Sequence, residues 1–265
     1  MFFVDSHCHI DLLNYSKIHS GIEDVLQKSI KNHVKLLLAV TTSIKNFNHV
    51  KKFIKNNKNI LLSFGIHPLH INQKKYKTDT IIYYSKDMEV VAIGETGLDY
   101  YHQMDNIELQ KTLFRKHIYA AIELNKPLLV HTRNSINDTI SILKEKTSNK
   151  CKGIIHSFSE NVDSARKILD MGFYISFSGN LTFKNSDHIR EVIKFVPLKQ
   201  MLLETDSPYL TPIPHRGKEN QPSFLYDTAL FVSKLKNVSI KTLSEHTTQN
   251  FFKLFKLKPS NFNVF

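Results

Sequence analysis

The residues that could do chemistry in this chain recur in one kind of place. Eight short apolar runs each end in polar or catalytic-type residues: His7-Cys8-His9, Thr41-Thr42, His67, Glu95, His131, His156, Ser178-Gly179 and Asp206. Side chains alternate across a strand, so His7 and His9 point one way and Cys8 the other. Two imidazoles on one face, at the C-terminal end of a barrel strand, can chelate one divalent ion. An isolated His-x-His is as readily two histidines in a turn, satisfied by backbone. Glu95 follows Val90-Val91-Ala92-Ile93-Gly94. A carboxylate there is costly to bury unless it is paired or bound to metal, and its two oxygens allow it to bridge two ions. His131 and His156 end later strands and offer neutral nitrogen ligands, and Asp206 ends the last strand. Each alone reads more simply as a satisfied interior residue. Six ligand-type residues at matching strand ends favour a metal site.

The elements that must position them follow from the apolar pattern. Strands are expected at Phe2 to Val4, Leu36 to Val40, Ile60 to Phe64, Val90 to Ile93, Leu128 to Val130, Gly153 to Ile155, Phe173 to Phe177 and Met201 to Leu203. Near-continuous apolar runs of this length fit parallel strands buried on both faces. Between them lie stripes of helical spacing: Ile22, Val25, Leu26 and Ile30; Leu109, Leu113, Phe114, Ile118, Ala121 and Ile122; Ile136, Ile140 and Leu143; Val162, Ala165, Ile168 and Leu169; Ile189, Val192, Ile193 and Val196. Each makes one apolar helix face. The segment Tyr76 to Asp87 is less clearly patterned. Further helices are expected near Phe224 to Leu235 and Leu243 to Phe255. Strict alternation of strand and helix predicts a parallel sheet, here an α/β single-domain TIM (β/α)8 barrel over residues 1–258, with 259–265 as a C-terminal tail. The Pro-rich stretch Ser207 to Ser223 follows the last strand and reads as an ordered site loop rather than a domain boundary.

The bulk composition sets limits. At 265 residues the chain is long enough for one such barrel, which needs about 250. No basic region precedes an apolar stretch at the start, and no run approaches the roughly 18 apolar residues of a membrane span. Cys8 and Cys151 are the two cysteines, so a disulfide framework is not expected. These features point to the cytoplasm, without membrane association. No dimerisation segment stands out, and a monomer is the default expectation. The formal net charge of +12 favours polyanionic substrates through long-range attraction, but a solvated basic surface, of the kind an A+T-rich coding bias produces, explains it equally well.

The motifs together resemble the TatD family of metal-dependent deoxyribonucleases. They are His7-Cys8-His9, Gly65-Ile66-His67-Pro68, Gly94-Glu95-Thr96-Gly97-Leu98-Asp99-Tyr100, His131-Thr132-Arg133, His156-Ser157-Phe158, Ser178-Gly179 with Thr182-Phe183-Lys184-Asn185, Glu204-Thr205-Asp206-Ser207-Pro208-Tyr209, Pro214 to Pro222, and Asn250-Phe251. They run in order through nearly the whole chain. The resemblance implies an amidohydrolase-superfamily barrel with two divalent ions, zinc, manganese or magnesium. One ion would use His7, His9, Glu95 and Asp206, and the other Glu95, His131 and His156, with Glu95 bridging. Asp206 would also be the general base that deprotonates the attacking water. The implied substrate is DNA, trimmed as single strands from the 3′ side. Two positions depart from the family pattern, Asn134 in place of Asp and Ser157 in place of Cys; neither is an expected ligand.

Other residues have weaker claims. His67 could bind a phosphate or steady the water, or simply cap the turn before Pro68. Glu204 shares a strand face with Asp206 and could hydrogen-bond a ligand histidine. Arg133, Arg216 and Lys218 are candidate phosphate contacts or ordinary surface charges. Tyr100 and Tyr101 could stack on a base or pack a loop. His33, His49, His117, His188 and His246 are expected within helices, on the surface or in packing. Two other functions stay open: hydrolysis of a small amide, ester or lactone, which predicts a narrower pocket, and nucleic-acid binding without catalysis. Structural zinc sites are typically closed and Cys-rich, unlike this ligand set.

Overall fold

The computed structural model describes residues 1–55, 57–71, 76–147 and 150–262. Eight strands run in chain order around one sheet: β1 (Phe3–Cys8), β2 (Val34–Ala39), β3 (Ile60–Phe64), β4 (Val90–Asp99), β5 (Leu128–Arg133), β6 (Gly153–Ile155), β7 (Tyr174–Phe177) and β8 (Met201–Leu203). All seven neighbouring pairs are parallel. Helices α1 (Ile22–Lys31), α2 (Ile44–Ile54), α3 (Thr78–Ser85), α4 (Ile107–Glu123), α5 (Ile136–Thr147), α6 (Val162–Asp170) and α7 (Asp187–Phe195) connect them, and α8 (Leu225–Lys236) and α9 (Ile240–Phe255) follow. This is the expected TIM barrel. The helix α3 forms where the apolar pattern was weakest.

Beyond the last hydrogen-bonded strand, β1 and β8 close the barrel through a short bridge. The Asp206 amide donates to the His7 carbonyl (2.9 Å) and the His9 amide to the Ser207 carbonyl (2.8 Å). Below them the buried Asp5 carboxylate accepts from the Thr205 amide (2.9 Å) and the Thr205 hydroxyl (2.5 Å), doing across the seam what ladder bonds do elsewhere.

Two apolar layers flank the strands. The inner one joins Val4, Leu36, Leu38, Leu61, Ala92, Leu129, Ile154 and Leu202 to Phe251, Phe252 and Phe255 of α9, which plugs the N-terminal end. The outer one holds the residues that face the helices, including Cys8, whose thiol points away from the interior histidines and donates to the Leu38 carbonyl (3.5 Å).

Several side chains differ from the pattern reading. Leu109 and Ile30, expected on apolar helix faces, are exposed, while Gln110 is buried beside Asp99. Gln110 accepts from the Asp99 amide (2.8 Å) and donates to the Asp99 carbonyl (3.1 Å). A polar residue is buried there because the end of β4 has backbone groups to satisfy. His33 lies past the end of α1 in a turn with φ +63°, not within a helix. Of the expected tail, Pro259–Asn261 form a 3-10 turn and the Phe262 ring packs on Phe252, while 263–265 lie outside the described residues.

Candidate metal centre

Two bulges aim the site. Along β1, Ser6 faces the barrel interior, where its hydroxyl lies 3.2 Å from that of Ser176 on β7. Strict alternation would then turn His7 outward. A register shift between Asp5 and Cys8 gives β1 one extra residue against β2, so His7 and His9 turn inward as well. The same device acts on β4, between Ile93 and Thr96, where three steps oppose two on β5. Ala92 faces inward in the apolar plug, and the extra residue brings Glu95 back to that face. Beyond it β4 continues to Asp99, past the expected end at Ile93. Gly97 makes this possible: a Cβ there would lie 2.0 Å from the His131 carbonyl oxygen, and its φ is +140°. On β5, β6 and β8 plain alternation suffices, and Leu129, Ile154 and Leu202 lead to His131, His156 and Glu204, while Asp206, past the end of β8, is turned by a left-handed backbone with φ +54°.

All six expected ligands meet at the C-terminal end of the barrel. The two oxygens of Glu95 divide them. Its Oε2 faces His7 Nε2 (3.5 Å) and His9 Nε2 (3.7 Å). Those two nitrogens also face Asp206 Oδ1, at 3.6 and 3.5 Å. Glu95 Oε1 instead faces His156 Nε2 (2.9 Å), His131 Nδ1 (3.1 Å) and His67 Nε2 (3.4 Å). Ligands about 2.1 Å from one ion stand roughly 3.0–3.4 Å apart, close to these separations. Both ring nitrogens of His7 are buried without a hydrogen-bond partner, which is costly for an imidazole unless something else binds it. The donor set and its spacing therefore fit divalent cations.

The surrounding groups set which nitrogen each histidine offers. Glu204 Oε1 lies 3.2 Å from His156 Nδ1, which leaves Nε2 for the cluster, as the shared strand face of Glu204 and Asp206 predicts. Asp99 Oδ2 lies 3.0 Å from His131 Nε2, which leaves Nδ1. Sequence reasoning missed Asp99. The signal was its placement four residues after Glu95, on the same face of a strand that had to be longer than its apolar run. His67 Nδ1 accepts from the Leu69 amide (3.1 Å), so the neutral ring carries its proton on Nε2.

The charges are strongly coupled. Burial pushes the Glu95 carboxyl up, but His67, His156, His7 and the hydrogen bond from His131 outweigh it and hold it well below the usual carboxylate range. Burial likewise raises Asp206, and the His9 hydrogen bond with the charges of His7 and His156 brings it below its ordinary value. Burial lowers His7 and takes His67 down to about 4. For His156, burial is outweighed by Glu95 and Glu204, and its pKa is raised well above the ordinary histidine value.

The cluster floors a cleft of about 690 Å³. Arg133 lines it, with its guanidinium 5.1 Å over the Tyr101 ring. Arg216 and Lys218 do not line it. Arg216 lies 3.8 Å over Phe183 and donates to the Thr211 carbonyl (3.2 Å), and the Lys218 carbonyl accepts from Thr211. These contacts order the loop after β8. Tyr100 packs its loop, its hydroxyl donating to Asp138 (2.7 Å), while Tyr101 is exposed. Ser157, at one of the two positions that depart from the family pattern, lines the cleft, and its hydroxyl is 2.8 Å from that of Ser178.

The barrel and its His/carboxylate cluster are those of a metallohydrolase-like α/β barrel, and comparison with known proteins specifies the family. The family model described as "TatD related DNase" matches residues 4–256. A protein of Buchnera aphidicola subsp. Baizongia pistaciae, described as an uncharacterized metal-dependent hydrolase, is 60% identical over 99% of this chain and 98% of its own. The similarly described YcfH of Escherichia coli (strain K12) is 44% identical over 98% of each chain. The crystal structure of YJJV, a TatD homologue from E. coli, superposes with a TM-score of 0.87 at 24% identity, covering 97% of this chain and 98% of that one, and shows the same fold. The chain belongs to the TatD family. Among the described residues, no helix is long and apolar enough to cross a membrane.

Proposed function

We propose that the protein is a divalent-metal-dependent phosphodiesterase that shortens single-stranded DNA from its 3′ end. The observation that carries this reading is the division of labour at Glu95, whose two oxygens face two separate donor sets. His7, His9, Glu95 and Asp206 would hold one ion, and Glu95, His131 and His156 a second; zinc, manganese and magnesium all suit such ligands. Bound ions supply Lewis acidity, which makes water a nucleophile at neutral pH and offsets charge on the phosphate.

The chain's own residues do the rest. Asp206 lines the cleft and is ionised at neutral pH, so its carboxylate takes the proton of the attacking water. His67 acts as a donor: with its Nδ1 engaged by Leu69, its Nε2 proton is offered to the phosphate or the water. Glu204 and Asp99 fix the rings of His156 and His131. Arg133 takes a non-bridging phosphate oxygen. Arg216 and Lys218 do not line the cleft, so of the three candidate phosphate contacts Arg133 alone stands in its wall. This favours a second substrate class, small esters or lactones, served by the same donors.

The test is degradation of a 5′-labelled single-stranded oligonucleotide by metal-stripped protein with magnesium, manganese or zinc restored. A metal-dependent ladder that shortens from the 3′ end is expected. Asp206→Asn should slow it at least about 100-fold, and Glu95→Ala should abolish it. No cleavage by protein shown to hold its ions would overturn the nuclease reading and turn the search to small esters and lactones.

A further inference from the structure

The rim of the cleft is divided in a way the metal chemistry does not require. Around the barrel the loops after β8, β1, β2 and β3 form one continuous arc, and those after β4 and β5 the opposite one. The first arc carries Tyr209, Leu12 and Leu69, which line the cleft and are 54%, 50% and 37% exposed. The second carries Arg133 and His102. Large apolar side chains left in water together on one wall of a pocket mark a surface that binds something. A phosphodiester centred on Glu95 would thus have a cation on one side and, on the other, exposed apolar side chains set among Asp11, Asn46 and His70. That is the polarity of a nucleotide, with its charged backbone and flat base.

We infer that Tyr209 is a stacking platform for an unpaired nucleobase of the substrate, an inference that rests on the phosphodiesterase reading above. The backbone that carries the ring is held in place. The Tyr209 amide donates to the Asp206 carbonyl (2.9 Å), and its carbonyl accepts from the side-chain amide of buried Asn220 (2.5 Å). Its ring meets the His9 ring edge-on, with centroids 6.1 Å apart and planes at 72°. One end is thereby fixed against a metal-ligand candidate while the rest stays open to the cleft. Tyr209 lies three residues from the general base and lines the same cleft, so the platform and the reacting phosphate share one pocket. A base stacked there cannot remain in a duplex, so the platform selects single-stranded ends. Stacking on an aromatic ring tolerates any base, and the recognition is of strandedness rather than sequence.

The experiment uses the metal-loaded enzyme and 5′-labelled single strands that are identical except for an abasic tetrahydrofuran residue at the last or next-to-last 3′ position. Wild type should cut one of the abasic strands with kcat/KM lower by roughly tenfold, mainly through KM. Tyr209→Ala should bring abasic and normal strands within about twofold of each other, and Tyr209→Phe should keep the discrimination. Bound-metal content and thermal melting establish that the alanine variant is folded. Undiminished discrimination by Tyr209→Ala, or wild type that cuts all strands equally, overturns the platform alone. Wild type that cuts no strand overturns the parent reading and the platform with it.

Discussion

His131 is held between two carboxylates, Glu95 on its Nδ1 and Asp99 on its Nε2. Asp99 is itself fully engaged, since its Oδ1 also accepts from the amides of Tyr101 (3.0 Å) and His102 (2.8 Å). These contacts hold its carboxylate in place at the cleft wall, and its effect on chemistry is exerted through the ring it orients. A carboxylate behind an imidazole fixes the tautomer and makes the ring a better ligand. Asp99→Asn keeps an oxygen for the two amides and removes the charge. It is expected to weaken ion affinity about 10- to 100-fold, with little change in melting temperature. Competition against a chelator of known affinity reads this, and an unchanged affinity would show that the Asp99 charge does not act on His131.

His117 shows how a helix can set the exit of a strand. It is buried in α4, where its Nδ1 donates to the Leu113 carbonyl (2.9 Å) and its Nε2 accepts from the Ile66 amide (3.1 Å). That amide belongs to the residue before His67, so α4 fixes the backbone that presents His67 to Glu95. Both roles require a neutral ring, and burial lowers the His117 pKa to about 4. Its folded pKa lies below the ordinary 6.5. The stabilisation is therefore complete above about pH 6.5 and is lost as the pH falls from there toward 4. The loss amounts to about 3 kcal/mol. Urea unfolding at pH 7.5 and 4.5 should show a drop in wild type that exceeds the drop in His117→Gln by roughly 2–3 kcal/mol. Equal drops would place the titration elsewhere.

The whole chain carries a formal charge of +12, yet of the candidate cations it is Arg133 that lines the cleft. The remaining basic charge acts at a distance, by attraction that salt screens. KM for a single-stranded oligonucleotide is expected to rise roughly 5- to 10-fold between 50 and 200 mM salt, as for about two phosphate contacts. A singly charged small diester should change less than about twofold over the same range. Equal salt dependence for both would remove long-range attraction from the account. The barrel that carries this charge is plugged at its other end by Phe251, Phe252 and Phe255 of α9, so the cleft opens on one face only, the face where the strand ends meet.

Much of this could be read from residue order alone. Alternating apolar runs and helical stripes specify a (β/α)8 barrel because each pattern has one way to bury its apolar face, and strand ends in such a barrel converge. His131, His156 and Glu204 follow from simple alternation and were legible for that reason, whereas the aim of Asp206 is set by a left-handed turn past the end of β8. The inward aim of His7, His9 and Glu95 was not, because it depends on an extra residue in β1 and in β4 relative to their neighbours, and register is a property of two strands. The motif pointed to those residues without explaining how they face the interior. Asp99 and Tyr209 were named in the sequence only within longer motifs, one because β4 outruns its apolar stretch, the other because an exposed tyrosine in a loop has no periodicity to betray it. Arg216 and Lys218 matched in type but lie outside the cleft wall, since a loop's path is set by its tertiary contacts. Residue types and their order determined which chemistry this protein could hold. Which side chains reach the cleft was decided by strand register and loop packing, because both depend on contacts between segments far apart in the chain.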